Sequence, residues 1–94
     1  MPKPNHFLSF ATDKDSRQLF VHADAKGLEH LIRSLTHIRQ KLDEGICDHD
    51  HLMTESWGGS GLSERTMADG VHLIQHVKIY GWTPEWIGKH GLSA

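Results

Sequence analysis

The residues best suited to chemistry lie in the middle of the chain, from Asp48 to Gly61. This short segment holds two histidines, three carboxylates, one tryptophan and three glycines. Polar and conformationally permissive residues at this density make poor material for a hydrophobic core. The segment is therefore predicted to form an exposed surface or a site.

The alternating Asp-His pattern at the start of this segment suggests a metal site. On a strand, His49 and His51 would share one face with Cα atoms about 6.5 Å apart, close enough to ligate one ion. A third ligand would come from His72 or His76, which lie about 13 Å apart along a strand, so one ion cannot take both. The alternative is a set of solvated surface histidines beside carboxylates. The sequence has no Cys-x-x-Cys and no His-Glu-x-x-His spacing, which favours that alternative and predicts no metal.

Three other arrangements in the same region fall short of catalytic motifs. The glycine-rich loop from Gly58 to Gly61 lacks the lysine of a phosphate-binding loop. Ser60 is followed two positions later by Leu62, so it does not form a nucleophile elbow. Cys47 stands near His49, but no third residue is marked to orient the pair. The chain is therefore predicted not to be an enzyme, and the loop to be a flexible turn.

The distribution of charge indicates a binding surface. From Asp43 to Glu64 the chain carries six of its twelve acidic residues and neither lysine nor arginine. Such a run is usually a solvated face, but this one includes Trp57, and an aromatic anchor amid charge is common in protein interfaces. The predicted partner-binding residues are Asp48, His49, Asp50, His51, Glu55, Trp57 and Glu64.

Length and composition limit the class of protein. The 94 residues are predicted to form a single domain over 1–94. A net charge of -2 argues against broad attraction to nucleic acid or to an anionic membrane. The chain shows no signal-peptide pattern or membrane-spanning apolar run, and its single Cys47 cannot form an intramolecular disulfide. These features predict a cytoplasmic protein, and the oligomeric state stays open.

The elements that must position these residues follow from hydrophobic periodicity. Alternation predicts a hairpin of strands at His6–Ala11 and Arg17–Ala23. A long helix is predicted from Ala25 to Glu44, with Asp24 as its N-cap and Gly45 at its end. Its apolar stripe comprises Leu28, Leu31, Ile32, Leu35, Ile38 and Leu42.

The remainder of the chain is predicted to add strands and a short helix. The strands are Asp48–Ser56 and Val71–Tyr80, with Gln75 breaking the alternation of the second. Thr83 caps a helix that ends near Gly91. The β-β-α-β-β-α order predicts an α+β fold in which the long amphipathic helix covers a small antiparallel sheet. Trp82 and Trp86 are expected to form a lid on that sheet, and Trp57 to be exposed.

A family resemblance rests on the His-x-His-Leu motif at His49–Leu52, the Trp-Gly-Gly that begins at Trp57, and the stretch His76–Trp82. With these motifs, roughly the C-terminal half of the chain resembles the immunity protein 32 family of bacterial polymorphic-toxin systems. The resemblance implies a small cytoplasmic α+β protein that binds and blocks a toxin encoded beside it, without catalysis or cofactor. The expected partner is the cognate toxin, bound through the acidic surface.

Two other functions stay open at this point. One is a small metal- or ligand-binding domain that uses His49, His51 and either His72 or His76. The other is a pH-responsive interaction module, because histidine changes its charge between about pH 5 and 8.

Overall fold

Within residues 6–65 and 70–91, which the computed structural model describes, the chain forms two antiparallel sheets and two helices. The elements are β1 (Leu8–Thr12), β2 (Leu19–Ala23), α1 (Ala25–Asp43), β3 (Asp48–Met53), β4 (His72–Leu73), β5 (His76–Gly81) and α2 (Pro84–Lys89). The first sheet has the order β2-β1-β4, and the second pairs β3 with β5. The predicted α+β class, with a long helix and a short C-terminal helix, is confirmed.

The predicted hairpin and the helix after it are joined by Asp24. β1 pairs with β2 from Leu8 opposite Ala23 to Thr12 opposite Leu19. The Asp24 carboxylate accepts hydrogen bonds from the backbone N–H of Gly27 at 2.7 Å and of Phe7 at 3.0 Å. Because both bonds favour the charged form, they lower the pKa of Asp24. One side chain thus caps α1, as predicted, and ties it to the start of β1.

The predicted strand Val71–Tyr80 is divided in two by the structure. Its first part, β4, pairs with β1, and its second part, β5, pairs with β3 along its whole length. The change occurs at Gln75, where the alternation already failed. The Ile74 N–H donates to the Phe10 carbonyl at 2.8 Å, whereas the Gln75 carbonyl accepts from the Thr54 N–H at 3.0 Å. The chain therefore leaves one sheet and joins the other between these two residues.

The hydrophobic core lies where the two sheets and α1 meet. Its fully buried members are Leu8, Phe10, Leu52 and Leu62, and partly buried side chains pack around them. Those surrounding side chains are Ala23, Leu31, Ile74, Val77 and Ile79. Strands from both sheets contribute to one core, so the sheets hold each other in place.

α1 does not bury the centre of its apolar stripe. Its buried residues are Gly27, Ser34 and Ile38, whereas Leu28, Ile32 and Leu35 are 46–59% exposed. At 100° per residue, the buried face is rotated by about 70° from the centre of the predicted stripe. The helix thus turns a mixed face toward the protein, in which Ser34 lies beside Ile38, and leaves an apolar flank in solvent. No helix in the described ranges has the length and hydropathy required to traverse a lipid bilayer.

α1 also approaches the second sheet closely at Gly81, the last residue of β5. A Cβ at this position would overlap the Ile38 side chain and come within 3.0 Å of Leu42 Cδ1. Gly81 is itself buried, directly opposite Asp48 of β3. The absence of a side chain here sets the distance between helix and strand.

Replacing this glycine tests the helix–sheet contact. Gly81→Ala is expected to lower the free energy of unfolding by about 1–3 kcal/mol, because the added methyl group overpacks the contact with Ile38 and Leu42. Urea denaturation followed by circular dichroism measures the change. The matched control is Gly88→Ala in α2, where a Cβ would meet nothing within 4 Å. The control is expected to be neutral or to stabilise by up to about 1 kcal/mol. An equal change in the free energy of unfolding for both variants would contradict the close contact between Gly81 and α1.

Candidate functional site

β3 sends its acidic and its histidine side chains to opposite faces of the second sheet. Asp48 and Asp50 point inward, on the side that carries the buried Leu52. The Ser34 hydroxyl donates a hydrogen bond to Asp50, and His37 Nε2 lies 3.4 Å from Asp48 Oδ2. These two predicted partner-binding carboxylates therefore contact α1, and their inward position accounts for the polar Ser34 and His37 on the side of the helix near β3.

The outward face of the same sheet is a continuous array of aromatic and imidazole rings. His49 stacks on Tyr80 with ring centroids 5.6 Å apart and meets His51 edge-on at 5.0 Å. In spatial order the rings belong to Trp57, His76, His51, His49, Tyr80, Trp82, Trp86 and His90. We call this set of eight residues the ring face.

The C-terminal part of the ring face consists of closely stacked rings. Tyr80 and Trp82 lie 5.4 Å apart with nearly parallel planes, and Trp82 stacks on Trp86 at 4.0 Å. Trp86 and His90, one helical turn apart on α2, are separated by 3.9 Å. Thr83 caps α2 as predicted, accepting from the Trp86 N–H at 3.2 Å. The two tryptophans are half-buried against each other, and together they extend the sheet surface.

Two histidines of the ring face, His51 and His76, lie within hydrogen-bond distance of each other. His51 Nδ1 and His76 Nε2 are 2.9 Å apart, which is a hydrogen-bond distance. Two nitrogen ligands of a tetrahedral zinc ion would be about 3.3 Å apart. His72 lies on β4, in the other sheet. No group of three or more potential metal ligands was found among residues 6–65 and 70–91.

Trp57 is presented by a hydrogen-bonded turn that precedes the glycine-rich loop. Residues Glu55–Trp57 form a single 3-10 turn, which ends at Gly58 with a left-handed φ of 91°. The Glu64 carboxylate accepts from the Ser56 N–H at 2.7 Å, and hydrogen bonding from Ser56, first through its side chain and then through this N–H, lowers the pKa of Glu64. Trp57 is 57% exposed, as predicted, and its ring contacts His76.

The predicted acidic surface is divided among separate places in the fold. Glu55 and Glu64 lie beside the Trp57 turn, where they line a cavity of about 330 Å³ together with Arg65. Asp48 and Asp50 face α1, as described above. On the ring face itself, the exposed Lys78 lies directly opposite His51. Asp48 and Asp50 still line a surface pocket together with His49 and residues of α1. The face that carries the predicted histidines is therefore aromatic, with Lys78 among its rings and carboxylates along its margin.

Sequence reasoning grouped His76 with His49 and His51, as a candidate metal ligand, but missed the contribution of Tyr80 and of α2 to this face. His76 and Tyr80 alternate with inward residues on β5, and pairing in register sets them opposite Met53 and His49. The alternation was visible in the sequence, but the register was not. Trp86 and His90 are four residues apart, a spacing that places both on one side of a helix.

The amino-acid sequence matches a known protein family. A sequence model described as immunity protein 32 matches residues 18–77, more than half of the chain. The chain belongs to the immunity protein 32 family. The match confirms the resemblance and includes α1 as well as the central segment, while ending before Trp82. Searches of curated proteins and of solved structures found no match.

A second histidine cluster joins α1 to the segment that leads into β1. His30 stacks on His6 with ring centroids 4.5 Å apart, and His6 Nε2 donates to the Gly61 carbonyl at 2.8 Å. Desolvation lowers the pKa of His30 below 6.5, and the nearby His6 and Arg33 lower it further. On the ring face, desolvation also lowers the pKa of His76, with His51 and Lys78 adding to the effect.

These shifts predict that acid destabilises the fold. A histidine with a lowered pKa binds fewer protons in the folded than in the unfolded chain, so its contribution to stability decreases as the pH falls through its ordinary 6.5. Urea midpoints measured between about pH 7.5 and 5.5 should decrease with falling pH. His30→Gln is expected to reduce that slope, with His72→Gln as the control for loss of one imidazole. A parent protein whose midpoint is flat or rises on acidification would contradict the prediction.

Proposed function

We propose that this protein neutralises a cognate bacterial toxin by binding it through the ring face. Membership of the immunity protein 32 family supports the general role. The observation that carries the assignment to this surface is the unbroken run of rings on the outer side of β3 and β5.

The chemistry of the ring face suits a protein partner. Tryptophan and tyrosine dominate interface hot spots because a large rigid ring buries much area and loses little conformational freedom. Trp57 and Tyr80 are 57% and 48% exposed and stand at separate positions along the array. They can therefore serve as two anchors, while the stacked Trp82 and Trp86 hold the far end in a fixed shape.

The charges around the face indicate how a partner is oriented. Glu55 and Glu64 at the Trp57 end can accept hydrogen bonds from basic side chains. Lys78 and the histidines can pair with carboxylates on the adjacent part of the partner. Such an arrangement of opposite charges fixes register and speeds encounter more than it adds affinity. The predicted residues Asp48 and Asp50 support this surface from beneath, by holding β3 against α1.

Binding to the toxin encoded beside this gene tests the proposal. Trp57→Ala and Tyr80→Ala are each expected to weaken affinity at least tenfold, because truncating a hot-spot aromatic costs on the order of 2 kcal/mol. Isothermal titration calorimetry gives the affinity, and survival of cells that co-express toxin and variant gives the protection. Glu55→Lys is expected to slow association and to alter its dependence on salt.

Ile46→Ala is the matched control for this experiment, because it removes a 48% exposed apolar side chain that belongs neither to the ring face nor to β2. Its affinity for the toxin should equal that of the parent protein. Parent affinity in both aromatic variants, together with full protection of cells, would remove the ring face from the proposal. Failure of the parent chain to bind the toxin would contradict the function itself.

A further inference from the structure

β2 is an edge strand, and its outer side carries no partner among residues 6–65 and 70–91. Edge strands of soluble proteins are commonly protected from pairing by lysine, proline, a bulge or inward-pointing charge. The five residues of β2 are Leu19, Phe20, Val21, His22 and Ala23. They include no lysine, proline or carboxylate, and they pair with β1 without a bulge.

The hydrogen bonds at the ends of the hairpin determine which backbone groups point outward. Asp24 N–H donates to the Phe7 carbonyl, and Asp13 N–H donates to the Gln18 carbonyl. In an antiparallel pair, hydrogen-bonded positions alternate, so Gln18, His22 and Asp24 turn their backbone groups toward β1. The N–H and C=O groups of Leu19, Val21 and Ala23 consequently point to the free edge.

We propose that this edge pairs with β2 of a second copy of the chain, antiparallel and with Val21 on the twofold axis. In that register Val21 meets Val21 of the partner, and Leu19 meets Ala23. Each of these is a hydrogen-bonded pair that exchanges two backbone bonds. The large Leu19 side chain then faces the small Ala23 side chain on the inner side of the sheet. On the outer side, Phe20 faces His22. The strand is therefore complementary to itself.

Charge at the ends of the strand favours the same register. Gln18 of one copy lies opposite Asp24 of the other, so the exposed Arg17 comes beside that carboxylate. Two such contacts form by symmetry, one at each end of the paired strands. No like charges face each other along the edge itself, so close approach of two copies is not opposed.

The exposed apolar area is of the size that a dimer needs. Leu19 and Val21 are 60% and 44% exposed, and the helix that follows β2 adds the exposed flank of Leu28, Ile32 and Leu35. Together these side chains expose on the order of 400–500 Å², the size of the largest apolar patch on a typical monomer, which is often functional. With the edge backbone and the polar rim, the area approaches the roughly 800 Å² per partner of a stable interface. The ring face lies on the other sheet and stays free for the toxin.

Oligomeric state and a register-specific cross-link test the pairing. Analytical ultracentrifugation of the full chain is expected to show a dimer in the micromolar range. Val21→Lys should shift it to monomer with an unchanged circular dichroism spectrum, since the two lysines would meet on the axis. The charge-matched control, Gln40→Lys on the exposed side of α1, should stay dimeric.

The cross-link identifies the register. In a Cys47→Ser background, Val21→Cys should form an intermolecular disulfide on mild oxidation, because Cα atoms of a hydrogen-bonded pair are about 5.5 Å apart. Phe20→Cys should not, since Phe20 faces His22 of the partner. A parent chain that is monomeric throughout, or equal cross-linking by both variants, would overturn the proposal. So would a Val21→Lys variant that remains dimeric. A monomeric parent in which Val21→Lys abolishes toxin binding would assign the edge to the toxin instead.

Discussion

The rest of this structure depends on how the two inward carboxylates of β3 are satisfied. Asp50 accepts a hydrogen bond from Ser34, and Asp48 lies beside His37, so these two polar residues of α1 must lie on the side of the helix that approaches β3. A leucine in place of Ser34 would leave the Asp50 carboxylate half-buried without this partner, which costs more than exposing apolar area elsewhere. The rotation of α1 and the exposure of Leu28, Ile32 and Leu35 follow from this constraint.

The inward position of Asp48 and Asp50 also separates the two surfaces that we propose for binding. Because strand residues alternate, placing Asp48 and Asp50 inside puts His49 and His51 outside, where β5 and α2 complete the ring face. Rotation of α1 leaves its apolar flank next in sequence to the unprotected edge of β2. One surface is aromatic and edged with charge, whereas the other is aliphatic with free backbone groups. These differences suit a heterologous partner at the first and a second copy at the other.

The local elements of the fold were predictable because each depends on neighbours in sequence. The Asp24 cap, the left-handed Gly45 with φ 80°, the hairpin and the Thr83 cap all formed where the residues predicted them. The division of the predicted strand at Gln75 was harder to predict from the sequence. A hydrogen bond to Thr54, more than twenty residues away, decides it, and only the failed alternation at Gln75 pointed to it.

By itself the sequence determined the α+β class, the caps, the family and the exposure of Trp57. Tertiary structure decided what the central segment presents. A run without lysine or arginine predicted one acidic surface, but alternation sent two of its carboxylates under the helix, and cross-strand pairing brought Lys78 beside His51. Residues that are neighbours along the chain need not be neighbours on the surface, because strand alternation separates them and strand register brings distant residues beside them. That register depends on packing between distant segments, which no local pattern records.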